Sequence, residues 1–232
     1  MQSLRVIIFG AGNHGKVILD ILRDQGREVV GWLDENEVLW GKKHCELQVL
    51  GGLDYLRSCD PQEFGAIVAI GRNSQRLAVA SSIENIGIQL INAVHPSAVL
   101  MRTATLGKGV CVCATAVVGT DTKIGDHVIL NTAATIDHDC LIGDGAWIAP
   151  GVHTAGGVRI GPGAYISTGA VLLAGISVGA EAVVGAGAVV TGNIPPRVLA
   201  LGVPARIVKE IDQSFNWERL ISGIAEKVPG ER

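Results

Sequence analysis

His138 stands between two carboxylates in the segment Ile136-Asp137-His138-Asp139-Cys140. An imidazole titrates near neutrality, so it can take a proton from an attacking nucleophile. A carboxylate on its other ring nitrogen fixes the tautomer and raises its basicity. The same three residues would also suit a solvated polar turn, and only the surrounding pattern separates the two readings. A second constellation lies near the start, where Gly10-Ala11-Gly12-Asn13-His14-Gly15 matches GxGxxG, with Asp34 nineteen residues beyond Gly15. Glycines let a backbone approach phosphate closely, and a helix N-terminus favours an anion.

The elements around the glycine loop alternate. Leu4 to Phe9 is a nearly all-apolar run, as a buried parallel strand should be, and Lys16 to Arg23 has helical spacing. Further strands are expected at 28–33, 66–70 and 89–93, with helices at 53–57 and 74–85. This βαβαβαβ order predicts a small α/β Rossmann-like domain over residues 1–93. Four strands offer one mononucleotide half rather than two, which argues against a dinucleotide such as NAD. A nucleotide-sugar diphosphate fits the loop; a cap that binds nothing is the competing reading.

Beyond residue 93 the chain repeats in sixes. From Val94 to Pro195 there are seventeen hexads without an insertion, and the first position is Val, Leu or Ile in all but one, where Thr154 stands. The fifth position is small or β-branched throughout. Such a period fits a parallel β-helix over residues 94–195, three hexads to a triangular coil, with the first-position aliphatics stacked inside. Residues 196–232 are then expected to add a strand and a short amphipathic helix, the latter around Trp217, Leu220, Ile221 and Ile224. In this frame His138 occupies a third position and points outward, whereas Cys140 occupies a fifth position and faces inward. His138, Asp139 and Cys140 therefore cannot converge on a metal, and no metal is expected. His95, His127 and His153 are read as junction or turn residues without a role.

Composition narrows the classes. Of 232 residues 48% are hydrophobic, 18% are charged and 31 are glycine, which excludes a disordered chain. A net charge of −3 gives no general electrostatic case for nucleic acid. Residues 160–180 carry no charge and are long enough to span a bilayer, but they keep the six-residue phase and several glycines, so no membrane span is expected. The five cysteines form no C-x-x-C pair and no export signal opens the chain, which points to a reduced, cytoplasmic setting.

The motifs FGAGNHGK, NTAATIDHDCLIGD and GVPARIV, with the repeat between them, resemble the hexapeptide-repeat sugar acetyltransferases of the sialic acid O-acetyltransferase and UDP-4-amino-sugar N-acetyltransferase (bacillosamine-pathway) type. The resemblance covers about residues 4–210. It implies a left-handed β-helix behind the front domain, a homotrimer with acetyl-CoA lying between neighbouring β-helices, and a role in bacterial surface glycan synthesis. It places the general base at His138 and its supporting acid at Asp139. Thr168 and Ala186 are expected at the pantetheine or nucleotide of acetyl-CoA. Trp147 departs from the pattern, since many relatives carry histidine there in contact with the acetyl group; an indole can donate one hydrogen bond but accept none. The Gly156 N–H, eighteen residues and so one coil above His138, is a candidate to stabilise the developing oxyanion. No Ser or Cys is paired with a base, so transfer should be direct. The nucleotide-sugar is expected on Gly12, Asn13 and His14, with Asp34 and Glu35 at the base or ribose and Gly71 at the end of the third strand. The expected acceptor is the amine of a UDP-linked 4-amino sugar. O-acetylation of sialic acid or another sugar with a silent front domain, or a non-catalytic nucleotide-binding scaffold, are the alternatives.

Overall fold

A computed structural model describes residues 4–212 and 215. The front domain runs β1 (Arg5–Phe9), α1 (Asn13–Asp24), β2 (Val29–Leu33), β3 (Lys43–His44), β4 (Leu47–Gly51), β5 (Phe64–Val68), α2 (Asn73–Ile86) and β6 (Gln89–Leu90). The sheet order is β3-β4-β2-β1-β5-β6; β3 is antiparallel to β4, and the other neighbours are parallel. Alternate residues of β1 serve opposite faces, as the pleat requires. Val6 and Ile8 join α1 and the β-helix in one core, while Ile7 and Phe9 pack with Leu56, Ala80 and Ile83 in the other.

Two elements differ from the sequence expectation. The edge hairpin β3–β4 was not anticipated, because Lys42, Lys43, Gln48 and the short apolar spacing give no continuous strand signal. Its turn takes positive φ at Cys45 and Glu46, neither of them a usual turn-former there. The third expected strand, 66–70, begins and ends two residues earlier. Its register against β1, Arg5 opposite Phe64 and Phe9 opposite Val68, stops the pairing where β1 stops.

From Ala93–Val94 onward the chain winds through strands of two residues on three faces. The first face carries 93–94, 111–112, 129–130, 147–148, 165–166 and 183–184; the second begins at 99–100 and the third at 105–106. Each strand pairs in parallel with the one eighteen residues on, as Thr135 does with His153 and Leu141 with Arg159. First-position residues Val118, Ile136 and Leu172 and fifth-position residues Ala116, Ala134 and Cys140 are fully buried. The fold is therefore the α/β domain followed by a parallel β-helix that the period implies. Residues 160–180, long enough for a membrane span, form short strands instead, and no helix of the described residues is long and apolar enough to cross a membrane. Val198–Leu201 and Arg206–Glu210 close the first face as an antiparallel pair. The helix expected at the C-terminus lies outside the described residues.

Two kinds of glycine hold the corners. The fourth hexad position takes positive φ, with Gly157 at +72° and Gly175 at +71°. The second-position glycines, which dominate the sequence pattern, serve close packing instead: a Cβ on Gly143 would stand 2.5 Å from the Pro162 nitrogen of the next coil.

Candidate active site

His138 and Asp139 form the corner between the second face, after Thr135–Ile136, and the third, before Leu141–Ile142. Asp139 sits at the fourth position with φ +58°, a conformation that short polar side chains tolerate better than most. That turn brings its carboxylate back onto its neighbour, and His138 Nδ1 lies 2.8 Å from Asp139 Oδ2. A carboxylate only accepts, so Nδ1 carries the proton and Nε2 keeps its lone pair. The hydrogen bond to Asp139, aided by the charge of Asp137, holds the imidazole pKa above its ordinary value. Asp137 also steadies the turn, its Oδ1 accepting the His138 N–H at 2.8 Å.

The next coil places Gly156 over this ring. A Cβ on Gly156 would fall 2.5 Å from His138 Nε2, so only glycine leaves the basic nitrogen open. The Gly157 N–H donates to the His138 carbonyl at 2.9 Å, which locks the two coils in register. The Gly156 N–H donates to no other group of the described residues and remains free beside the imidazole. Met101, Val117, Thr120, Thr135 and Thr154 line a cleft of about 310 Å³ with His138. Thr154, the one polar first-position residue, hydrogen-bonds here, its Oγ1 accepting the Asp137 N–H at 3.3 Å. One further pair escaped the sequence reading: Thr135 Oγ1 lies 2.7 Å from His153 Nδ1 on the second face. The eighteen-residue spacing between them was the available signal.

In the front domain Gly12 caps α1 without a side-chain hydrogen bond, and the first turn holds no acidic residue. Gly12 and Asn13 are exposed. A Cβ on Gly15 would meet the Gly10 carbonyl oxygen, which is why that position packs helix on strand. Asp34 is partly used by the fold itself: its Oδ2 accepts the Ala11 N–H at 3.0 Å and its Oδ1 the Asn36 N–H at 2.9 Å. Glu35 Oε1 accepts the Leu53 N–H at 3.1 Å. The Gly71 carbonyl accepts from Arg76 Nη1 at 3.3 Å.

His14 differs from expectation. Its side chain turns from the loop into the seam with the β-helix, 5.3 Å from the Trp147 ring. Burial, and the nearby Arg76 charge, lower its pKa to about 4, so it is neutral at pH 7 and offers no cation to a phosphate. What the loop offers an anion is the start of α1. Trp147 differs too. Within one chain it lies on the first face, stacked on Tyr165 with ring centroids 5.7 Å apart and 8% exposed, not beside His138. Nine residues are half of an eighteen-residue coil, so the first face, which carries Trp147, lies across the triangle from the corner that carries His138. Thr168 and Ala186 are exposed and stack one coil apart on the corner between the first and second faces. One chain alone does not bring them to His138.

Arg76 was not singled out from the sequence, yet it fastens the two parts together. It is 1% exposed and donates to the carbonyls of His127 at 3.0 Å, Gly145 at 2.8 Å and Ile70 at 2.9 Å. It also donates to Asn73 Oδ1 at 2.9 Å, besides the Gly71 carbonyl; Asn73 in turn donates to the Gly163 carbonyl at 2.9 Å. Desolvation lowers its pKa to about 10, which still leaves it charged. No group of three or more His, Cys, Asp or Glu side chains among the described residues could hold a metal ion.

Comparison with known proteins agrees with this architecture. Residues 5–83 match the PglD N-terminal domain and residues 139–174 the bacterial transferase hexapeptide (six repeats). GDP-perosamine N-acetyltransferase of Escherichia coli O157:H7 is 34% identical over 122 residues, 51% of this chain and 55% of that protein. The uncharacterized protein L142 of Acanthamoeba polyphaga mimivirus is 30% identical over 124 residues, 53% of this chain and 24% of that protein. The chain thus spans about half or less of the length of these curated relatives. Among solved structures, a mutant perosamine N-acetyltransferase from Caulobacter crescentus, in complex with CoA and GDP-perosamine, superposes with a TM-score of 0.83 at 37% identity, covering 89% of this chain and 97% of that one. The acetyltransferase domain of PglB from Neisseria gonorrhoeae, in complex with acetyl coenzyme A, gives 0.83 at 34% identity, covering 89% and 100%. With the α/β domain, the unbroken hexads and the histidine–aspartate corner in place, this likeness over nearly whole chains shows that the protein belongs to the hexapeptide-repeat sugar acetyltransferases that carry a PglD-type N-terminal domain.

Proposed function

We propose that the protein transfers an acetyl group from acetyl-CoA to the amine of a nucleotide-linked 4-amino sugar, with His138 as general base and Asp139 as its supporting acid. The observation that carries this is the open Nε2 of His138, its Nδ1 held by Asp139 and a free Gly156 N–H beside it. The attacking amine gives a proton to Nε2 as its nitrogen bonds the thioester carbon. The carbonyl oxygen gains negative charge, which the Gly156 N–H is placed to meet. Collapse expels the thiolate of CoA, and the proton held on Nε2 is available to it. No nucleophilic side chain is paired with the imidazole, so no acyl-enzyme is needed.

Thr168 and Ala186, exposed on a corner away from His138, support a site completed by a second copy, in a homotrimer with the donor between β-helices. The start of α1 would take the diphosphate of the nucleotide sugar. The product would serve surface glycan synthesis in the cytoplasm of a bacterium. The test is release of free CoA with a panel of UDP- and GDP-linked 4-amino sugars and sialic acid. Turnover on a nucleotide-linked amine, lowered roughly 10²–10⁴-fold by His138→Ala, supports the reading. Turnover on sialic acid alone, or a wild-type rate in the variant, overturns it.

A further inference from the structure

We infer that the front domain selects a guanine nucleotide by stacking the base on Trp40 and pairing its edge with Glu35. The inference rests on the nucleotide-sugar reading above and deepens it. Trp40 follows the short 3-10 turn Glu37–Leu39 and is 42% exposed, though it is one of the largest apolar side chains of the domain. Its ring is not free to swing, because its Nε1 donates to the Asp34 carbonyl at 2.7 Å. Asp34 is also the residue whose carboxylate holds the Ala11 N–H of the glycine loop. One residue thus ties the phosphate-binding loop on one side to a fixed aromatic surface on the other.

Glu35 stands beside that surface. Leu53 N–H holds its Oε1 at 3.1 Å, while Oε2 makes no hydrogen bond with any of the described residues. Gly52 lies between the two side chains: a Cβ there would stand 3.1 Å from Trp40 Cζ2 and 3.3 Å from Glu35 Oε2. The ring edge and the free carboxylate oxygen therefore both lie against Gly52, which brings them to one exposed patch. This patch sits just past the carboxyl ends of β2 and β4, where open parallel sheets bind their ligands.

The chemistry of this patch distinguishes the bases. Guanine presents two adjacent donors, the ring N1–H and the 2-amino group, which one acceptor-only carboxylate can take together. Uracil offers a single N–H flanked by two carbonyl oxygens that the carboxylate repels. Adenine places a lone-pair nitrogen where guanine has its N1–H. A purine also covers more of the indole than a pyrimidine does, and base–aromatic stacking contributes roughly ten- to hundred-fold in affinity.

Calorimetric titration of the full chain with GDP, UDP and ADP tests this, on the wild type and on Trp40→Ala, Trp40→Phe and Glu35→Gln. GDP should bind roughly ten-fold or more tightly than UDP or ADP. Trp40→Ala should weaken GDP roughly ten- to hundred-fold, Trp40→Phe should keep most of the affinity, and Glu35→Gln should erase the preference over ADP. Equal or tighter binding of UDP or ADP, or wild-type GDP affinity in folded Trp40→Ala, overturns the subsite but leaves the nucleotide-sugar reading standing. Binding of none of the three, alongside CoA release with an unlinked amino sugar, overturns both.

Discussion

Gly156 lacks a side chain at the one place where a Cβ would stand 2.5 Å from the Nε2 of His138. Strands eighteen residues apart stack directly, so a residue on one coil sets the space over a residue on the coil below.

Gly156→Ala is therefore expected to fold, since neighbouring turns carry side chains at the same position, yet to push the imidazole aside. Steady-state kinetics should show kcat/KM lowered roughly 10²-fold or more, the scale for a misplaced catalytic group. Unchanged turnover would mean that Nε2 is not the reacting nitrogen.

The base works only when neutral. Asp139 raises the His138 pKa above its usual value near 6.5, so log kcat/KM should climb with pH and level off at a midpoint above that value. Asp139→Asn removes the largest cause of the shift. Its profile should move to a lower midpoint and to a lower plateau, because a weaker base accepts the proton less readily. An unmoved midpoint would detach Asp139 from the imidazole.

His14 gives stability its own pH dependence. Its folded pKa, about 4, lies below the unfolded value near 6.5, so the unfolded chain binds the extra proton between them. Its contribution is fully present above about pH 6.5 and is lost as pH falls, up to roughly 3 kcal/mol near pH 4. Urea unfolding at several pH values should show the wild type weakening over that window, and His14→Phe should flatten the slope. An equal slope in both would place the titrating group elsewhere.

The class of fold was legible because a six-residue period held over about a hundred residues leaves few architectures to choose among. His138 was legible for the same reason: its third-position phase alone sent the ring outward, and its side chain is 60% exposed. What stayed hidden depends on contacts between distant segments. Arg76 reads as one more helix cation in the run Asn73-Ser74-Gln75-Arg76, and only the carbonyls of His127 and Gly145 make it a fastener. His14 looked like a phosphate contact because its loop motif carries no record of Trp147 pressing on the other side. Trp40 drew no notice in a polar stretch, since exposure of an aromatic ring becomes visible only once its neighbours are placed.

The unbroken six-residue phase also defines a unit of permissible change in chain length. Adding or deleting one residue between His138 and Gly156 would turn every later side chain onto the wrong wall and uncover the imidazole. Duplicating all eighteen residues of an upper layer would merely lengthen the prism by about 4.8 Å, one interstrand step. Lineages of such proteins should therefore grow or shrink by whole storeys, keeping the layer that holds His138 and the one above it intact.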